Sequence, residues 1–252
     1  MTVVTESRGV GGERSLLGKA APAADDADAL RWSRFVAATD AEGPGTRAAV
    51  WVQGCAVRCP GCFNPHLWAA RGAHLDDPAA LAATWVAEAE EAGAEGITLL
   101  GGEPFDQAGA LAVVAEAFRS AGLGVMAFSG YTLDRLSAWA TTRPGIARLL
   151  AATDLLCDGP YLADLPDAHR PWIGSRNQSI RALTPRYAAR VEEIAHHGGA
   201  DTLEVRIAPD GTVAVNGWAT DAALAELFDD LGVRGDRAAS VSSVPSSKEF
   251  RR

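Results

Sequence analysis

Between residues 47 and 158 the chain alternates between two hydrophobic patterns. Short apolar runs closed by glycine or a polar residue ("TRAAVWVQG", "GITLLGG", "LGVMAFSG", "DLLCDG") are followed by longer stretches with a helical period. The short runs are apolar on both faces, as buried parallel strands are. "DPAALAATWVAEAEEAG" predicts a helix with Asp77 as N-cap, Pro78 in the first turn and Gly93 as its stop. Its apolar face is Leu81, Trp85, Val86 and Ala89, with Glu88 and Glu91 elsewhere. "DQAGALAVVAEAFRSAG" predicts a second helix that buries Leu111, Val114 and Phe118, and "YTLDRLSAWA" and "GIARLLAAT" read as two more. Strands alternating with helices define an α/β fold, a parallel sheet flanked by helices.

After Asp158 the pattern changes. "GPYLADLPDAHRPWIGSRNQSI" has the Pro, Gly and Asp content of a loop. "TPRYAARVEEIAHHG" is helical, "DTLEVRIAPDGTVAVNGW" is a hairpin around Pro209, Asp210 and Gly211, and "TDAALAELFDDLG" is a last short helix. This divides the chain into a core at 30–182 and an α+β appendage at 183–233. Residues 1–29 and 234–252 are small, polar and charged with no lasting period, and are expected to be disordered.

Composition narrows the function classes. Hydrophobic residues make up 48% of the 252, enough for a sizeable core, and the net charge of −9 argues against a nucleic-acid partner. No apolar run reaches the ~18 residues of a membrane span, and the first residues lack a signal-peptide stretch. The expectation is a cytoplasmic protein without a membrane partner, where thiols stay reduced and clustered cysteines mean metal or catalysis rather than disulfides.

Three of the four cysteines, Cys55, Cys59 and Cys62, fall in "CAVRCPGCFN". Three thiolates at this spacing can take three corners of a metal cluster and leave the fourth position open. Cys157 lies inside an apolar strand run and reads as a core residue. A structural zinc site with His66 as fourth ligand is the alternative, although such sites usually join two knuckles distant in sequence.

The stretch resembles the cluster loop of radical SAM (S-adenosylmethionine) enzymes, and among these the activases of glycyl radical enzymes, above all the branch serving anaerobic ribonucleotide reductase. "EGPGTRAAVWVQGC", "LLGGEPF", "FSGYT" and "DGPYLADLPDAHRPWIGSRNQSI" agree with that family in order, over residues 42 to 180. The resemblance implies an open partial (β/α) barrel of radical SAM type, here with a C-terminal β-hairpin/helix appendage. It implies that Cys55, Cys59 and Cys62 hold a [4Fe-4S] cluster whose fourth iron takes the amino and carboxylate groups of S-adenosyl-L-methionine. A 5′-deoxyadenosyl radical would then take hydrogen from a glycine of a partner glycyl radical enzyme. A flavodoxin- or ferredoxin-type donor would supply the electron.

Within that picture Gly61, Cys62, Phe63, Gly101, Gly102, Glu103, Ser129 and Asp158 are the candidate cofactor-binding residues. Gly101 and Gly102 let a ligand approach the end of a buried strand, and Glu103 is placed to accept from an ammonium group. Phe63 either packs on adenine or belongs to the core. No residue beyond the cluster and cofactor ligands is expected to be catalytic. The aromatic that many radical SAM enzymes carry between the second and third cysteines is Gly61 here, with Phe63 following, as in the reductase activases. Glu103 stands where that branch often has Asp. The lack of further cysteine clusters excludes auxiliary iron–sulfur clusters. Two other readings stay open: a single-cluster radical SAM enzyme acting on another small molecule or peptide, and a non-catalytic metal-binding module.

Overall fold

The structure is a computed structural model that describes residues 28–207, 213–217, 221–230 and 249–250. The two tails expected to be disordered lie almost wholly outside the described residues, as does the hairpin turn at Pro209, Asp210 and Gly211. The four apolar runs form the parallel centre of a mixed sheet: β2 (Arg47–Val52), β4 (Gly96–Gly101), β5 (Gly124–Ser129) and β6 (Leu155–Asp158). Antiparallel strands β1 (Leu30–Thr39), β3 (His74–Asp76) and β7 (Ser179–Ala182) complete it, in the order β3-β1-β2-β4-β5-β6-β7. These three outer strands were not legible as strands. They are half-exposed or exposed along most of their length, so no apolar run is needed to form them. They arise from backbone pairing with the core strands.

One face of the sheet is covered by helices α1 (Pro78–Glu91), α2 (Ala108–Ser120), α3 (Leu133–Ala140) and α4 (Pro144–Ala152). Val50, Leu99, Val125 and Leu156 meet Trp85, Leu111, Phe118 and Leu149 there. Asp77 caps α1 by accepting from Ala79 N and Ala80 N, and Gly93 turns the chain at φ +72°. Ala82 takes a buried place in α1, while Leu81 and Val86 sit at its margin. The opposite face presents Trp51, Leu100, Met126, Phe128 and Cys157. Tyr187 and Val191, around the start of α5 (Ala188–His197), pack on part of it together with Trp172 and Ile173.

The bottom of the sheet is held by a fully buried cation. Arg47 donates to Thr98 Oγ1 (2.8 Å), Ile97 O (2.6 Å), Gly124 O (3.0 Å) and Tyr187 Oη (2.8 Å). A Cβ at Gly96 would lie 2.1 Å from Gly124 O and 2.8 Å from an Arg47 nitrogen, so glycine makes the room.

The hairpin is β8 (Leu203–Ile207) with β9 (Val213–Gly217), in register Leu203↔Gly217 and Ile207↔Val213, followed by α6 (Asp221–Asp230). Thr39 at the end of β1 donates to Glu204 (2.7 Å) and accepts from Asn216 Nδ2 (2.6 Å), which ties the hairpin to the sheet. Among the described residues no helix is long and apolar enough to cross a membrane.

Candidate functional site

Parallel register sets the site. Val52 is opposite Gly101, and Ser129 opposite Asp158, so the C-terminal ends of the core strands lie level. Beyond Val52 the chain runs through Gln53 and Gly54 into the cysteine loop. Gly102 N donates to Val52 O (2.8 Å) and Glu103 N to Gly54 O (2.9 Å). The GGE turn and the cysteine loop are therefore stitched together backbone to backbone.

A cavity of ≈ 430 Å³ opens there, lined by Cys55, Cys59, Cys62, Phe63, Gly101, Gly102, Glu103 and Ser129. It thus brings together eight of the residues singled out from the sequence. Arg58 N donates to Cys55 Sγ (3.5 Å) and Asn64 N to Cys62 Sγ (3.4 Å), the backbone-to-sulfur bonds that stabilise thiolate ligands. Arg58 takes the left-handed region at φ +50° to shape this turn. Burial, and then the nearby Glu103 carboxylate, push the Cys55 thiol up to about 12. A bound metal ion reverses that penalty, because the thiolate is the ligand. Among the described residues no three His, Cys, Asp or Glu side chains are placed to hold one metal ion. His66 is exposed.

Glu103 is buried and heavily bonded. Its Oε1 accepts from Phe105 N (3.0 Å) and Ser129 Oγ (2.9 Å), and its Oε2 from Gly130 N (2.7 Å). Burial, and then neighbouring Asp106, raise its pKa to about 8. Ser129 donates to Glu103 and accepts from Tyr131 N (3.0 Å), so its hydroxyl is used to hold the carboxylate. Phe63 packs against Tyr161 with ring centroids 4.9 Å apart, and both rings line the cavity.

Gly61 and Asp158 are placed elsewhere. Gly61 sits in the turn at φ +76°, facing Ala163 and Tyr161. Asp158 does not line the cavity: its carboxylate accepts from Leu133 N (2.8 Å) and Arg181 Nε (2.6 Å), joining α3 to β7. Cys157 lies in the core with Met126, Leu155 and Ile173, and burial raises its thiol pKa.

Sequence reasoning missed Asp106. Its Oδ2 accepts from Ala56 N of the cysteine loop (2.7 Å), and its Oδ1 accepts from Tyr131 Oη (2.8 Å). It also missed Glu42 and Asp201 at the other end of the cavity. Glu42, in the turn that leads into β2, lines the cavity with Asp167, Trp172, Asp201 and Gly217. A strand of this length spans ~20 Å, so the cavity runs along the sheet face away from the cysteines. Burial pushes Glu42 up to about 7, tempered by Arg34 and the Gly217 N–H. Nothing in the local pattern around Glu42 marks it out, because the hairpin that meets it lies more than 150 residues on.

The profile of the family described as "4Fe-4S single cluster domain" matches residues 41–181. The chain therefore belongs to that single-cluster iron–sulfur family. It is similar to proteins named anaerobic ribonucleoside-triphosphate reductase-activating protein. That of Salmonella typhi is 28% identical over 165 residues, 61% of this chain and 99% of the relative. That of Pasteurella multocida is 30% identical over 148 residues, 56% and 90% respectively. That of Enterobacteria phage T4 is 25% identical over 160 residues, 62% and 96%.

Proposed function

We propose that this protein is a radical SAM activase of a glycyl radical enzyme of the anaerobic ribonucleotide reductase type. The observation that carries the reading is one cavity lined by Cys55, Cys59 and Cys62 together with Gly102 and Glu103, in a chain whose relatives are named for activating that reductase. In this reading the sheet of the 30–182 core is an open partial barrel of radical SAM type, and 183–233 is appended to it. The three cysteines would hold a [4Fe-4S] cluster and leave one iron for S-adenosyl-L-methionine. When bound, the cluster and this cofactor supply a 5′-deoxyadenosyl radical from one electron.

The chain's own residues bind and shield. Gly101 and Gly102 admit the methionine end of the cofactor, and Glu103, with its three internal donors, accepts from the ammonium group. A cation there favours the ionised carboxylate and offsets its burial. Phe63 and Tyr161 offer aromatic faces to the adenine. Asp106 holds the cysteine loop through Ala56 N. The protein would work in the cytoplasm, with electrons from a flavodoxin- or ferredoxin-type donor and hydrogen from a partner glycine.

A second reading, a different peptide or small molecule as substrate, is favoured by one feature. Asp201 and Gly217 line the cavity but lie beyond the residues the family profile matches. The test is anaerobic. The protein is reconstituted with iron and sulfide, given S-adenosyl-L-methionine and dithionite, and assayed for methionine and 5′-deoxyadenosine. It is then mixed with the anaerobic ribonucleoside-triphosphate reductase of the same cell and examined for a glycyl radical by electron paramagnetic resonance. Products that vanish in Cys59→Ala, with a radical on the reductase, support the first reading. Cofactor cleavage without that radical moves the second forward. No cleavage from a protein with its cluster bound sinks both.

A further inference from the structure

Two residues of the cavity's far wall, Asp201 and Gly217, come from beyond the stretch that the family profile matches. The family match ends at residue 181. Beyond α5, Gly198 turns the chain at φ +70°, and Gly199 N donates to His169 O (2.8 Å). Two residues later Asp201 Oδ1 accepts from Trp172 N (2.8 Å). A Cβ at Gly199 would lie 3.0 Å from Pro171 Cδ, so the two segments run in contact.

The loop they grip is the one that closes the cavity: Asp167, Ala168, Trp172 and Ile173 all line it. Trp172 holds φ +68°, a left-handed conformation that is costly for a bulky residue and persists only where surrounding contacts impose it. The Asp201 carboxylate is such a contact, made at the strained residue's own amide. The hairpin anchors Asp201 in turn. Glu204 and Asn216 bond Thr39, and Gly217 packs on Ala41 at the cavity edge.

We infer that the C-terminal segment, through Asp201, clamps the 166–174 loop over the cavity and so decides which polypeptide segment of the partner reaches the cofactor. Asp201 is a positioning residue that acts through Trp172 on the far end of the cavity, while Gly174, at the other end of the loop, lies against Phe63 and Tyr161 and has its own bond to Gln178 Oε1 (3.1 Å). The inference rests on the activase reading above, and it adds a specificity element to it. Strain at Trp172 gives the loop a lower-energy conformation to relax into once the clamp is released.

The variants are Asp201→Ala, which removes the acceptor, and Asp201→Asn, which keeps an amide oxygen for Trp172 N. Asp201→Ala is expected to raise the KM for the reductase about tenfold at nearly constant kcat, and to leave cofactor cleavage without partner within about twofold. Asp201→Asn should restore the KM. An unchanged KM in Asp201→Ala, or an equal loss of cofactor cleavage, overturns the clamp. If Asp201→Ala does not fold, hydrogen exchange on the wild-type protein decides. Amides 167–174 should gain protection when the reductase is added, and no gain overturns the inference. A wild-type protein that cleaves no S-adenosyl-L-methionine would instead fail the activase reading, and the clamp's role with it.

Discussion

A Cβ built on Gly102 would lie 2.2 Å from the carbonyl oxygen of Gly54, one residue before the first cysteine of the loop. The backbones approach this closely because Gly102 N donates to Val52 O and Glu103 N to Gly54 O, which ties the strand end to the cysteine loop. Gly102→Ala must push them apart. It should lower stability by about 2 kcal/mol and reduce the iron and sulfide bound per chain after reconstitution. Normal cluster loading at normal stability would show that the two segments are independent.

Glu103 combines an anchoring position with deep burial. Glu103→Ala should retain the cluster spectrum yet weaken S-adenosyl-L-methionine binding by about 1.5–3 kcal/mol, the contribution of a charge-assisted hydrogen bond. Calorimetric titration of the reconstituted protein checks this. Equal affinity in the variant would remove the carboxylate from the cofactor site.

Glu42 gives the fold a pH signature. Its pKa rises from 4.5 to about 7 on folding, first through burial and secondarily through Asp201 and Glu204, with Arg34 and the Gly217 N–H opposing. The folded protein therefore keeps this proton where the unfolded chain has lost it. Its contribution falls as pH climbs between those two values and is constant above about 7. Glu42→Gln should flatten that part of the profile and stabilise the protein at pH 8 by roughly 1–3 kcal/mol. Denaturant unfolding at pH 5, 6, 7 and 8 reads it directly, and parallel wild-type and variant profiles would refute it.

Cys157 contrasts with the loop cysteines. It packs among Met126, Leu155 and Ile173 and does not line the cavity that the loop cysteines share. Cys157→Ala should cost about 1 kcal/mol of stability and leave iron content and cofactor cleavage intact. Cys55→Ala or Cys62→Ala should abolish both. Loss of the cluster in Cys157→Ala would mean that a fourth thiolate is required.

The parallel core was readable because each central strand is apolar on both faces and each helix carries a stripe. Cys55, Cys59 and Cys62 were readable because ligand spacing within one loop is local. Asp106 was not, since nothing in "EPFDQ" says that its carboxylate will meet Ala56 N fifty residues earlier. Asp158 is the converse case. It ends a core strand beside Ser129, as the register requires, yet it is already engaged by Leu133 N and Arg181.

Taken by itself, the order of residues determined the α/β class, the central strands and their helices, and the three-thiol loop with its glycine-rich neighbour. All of these follow from periodicity and short-range spacing, which act along the chain. Only the tertiary structure decided that Ser129 serves Glu103 and that β1, β3 and β7 extend the sheet. It alone brought Glu42, Trp172 and Asp201 to one wall of the cavity. Those relationships depend on backbone pairing and packing between segments far apart in sequence, and neither leaves a local pattern in the residues that make it.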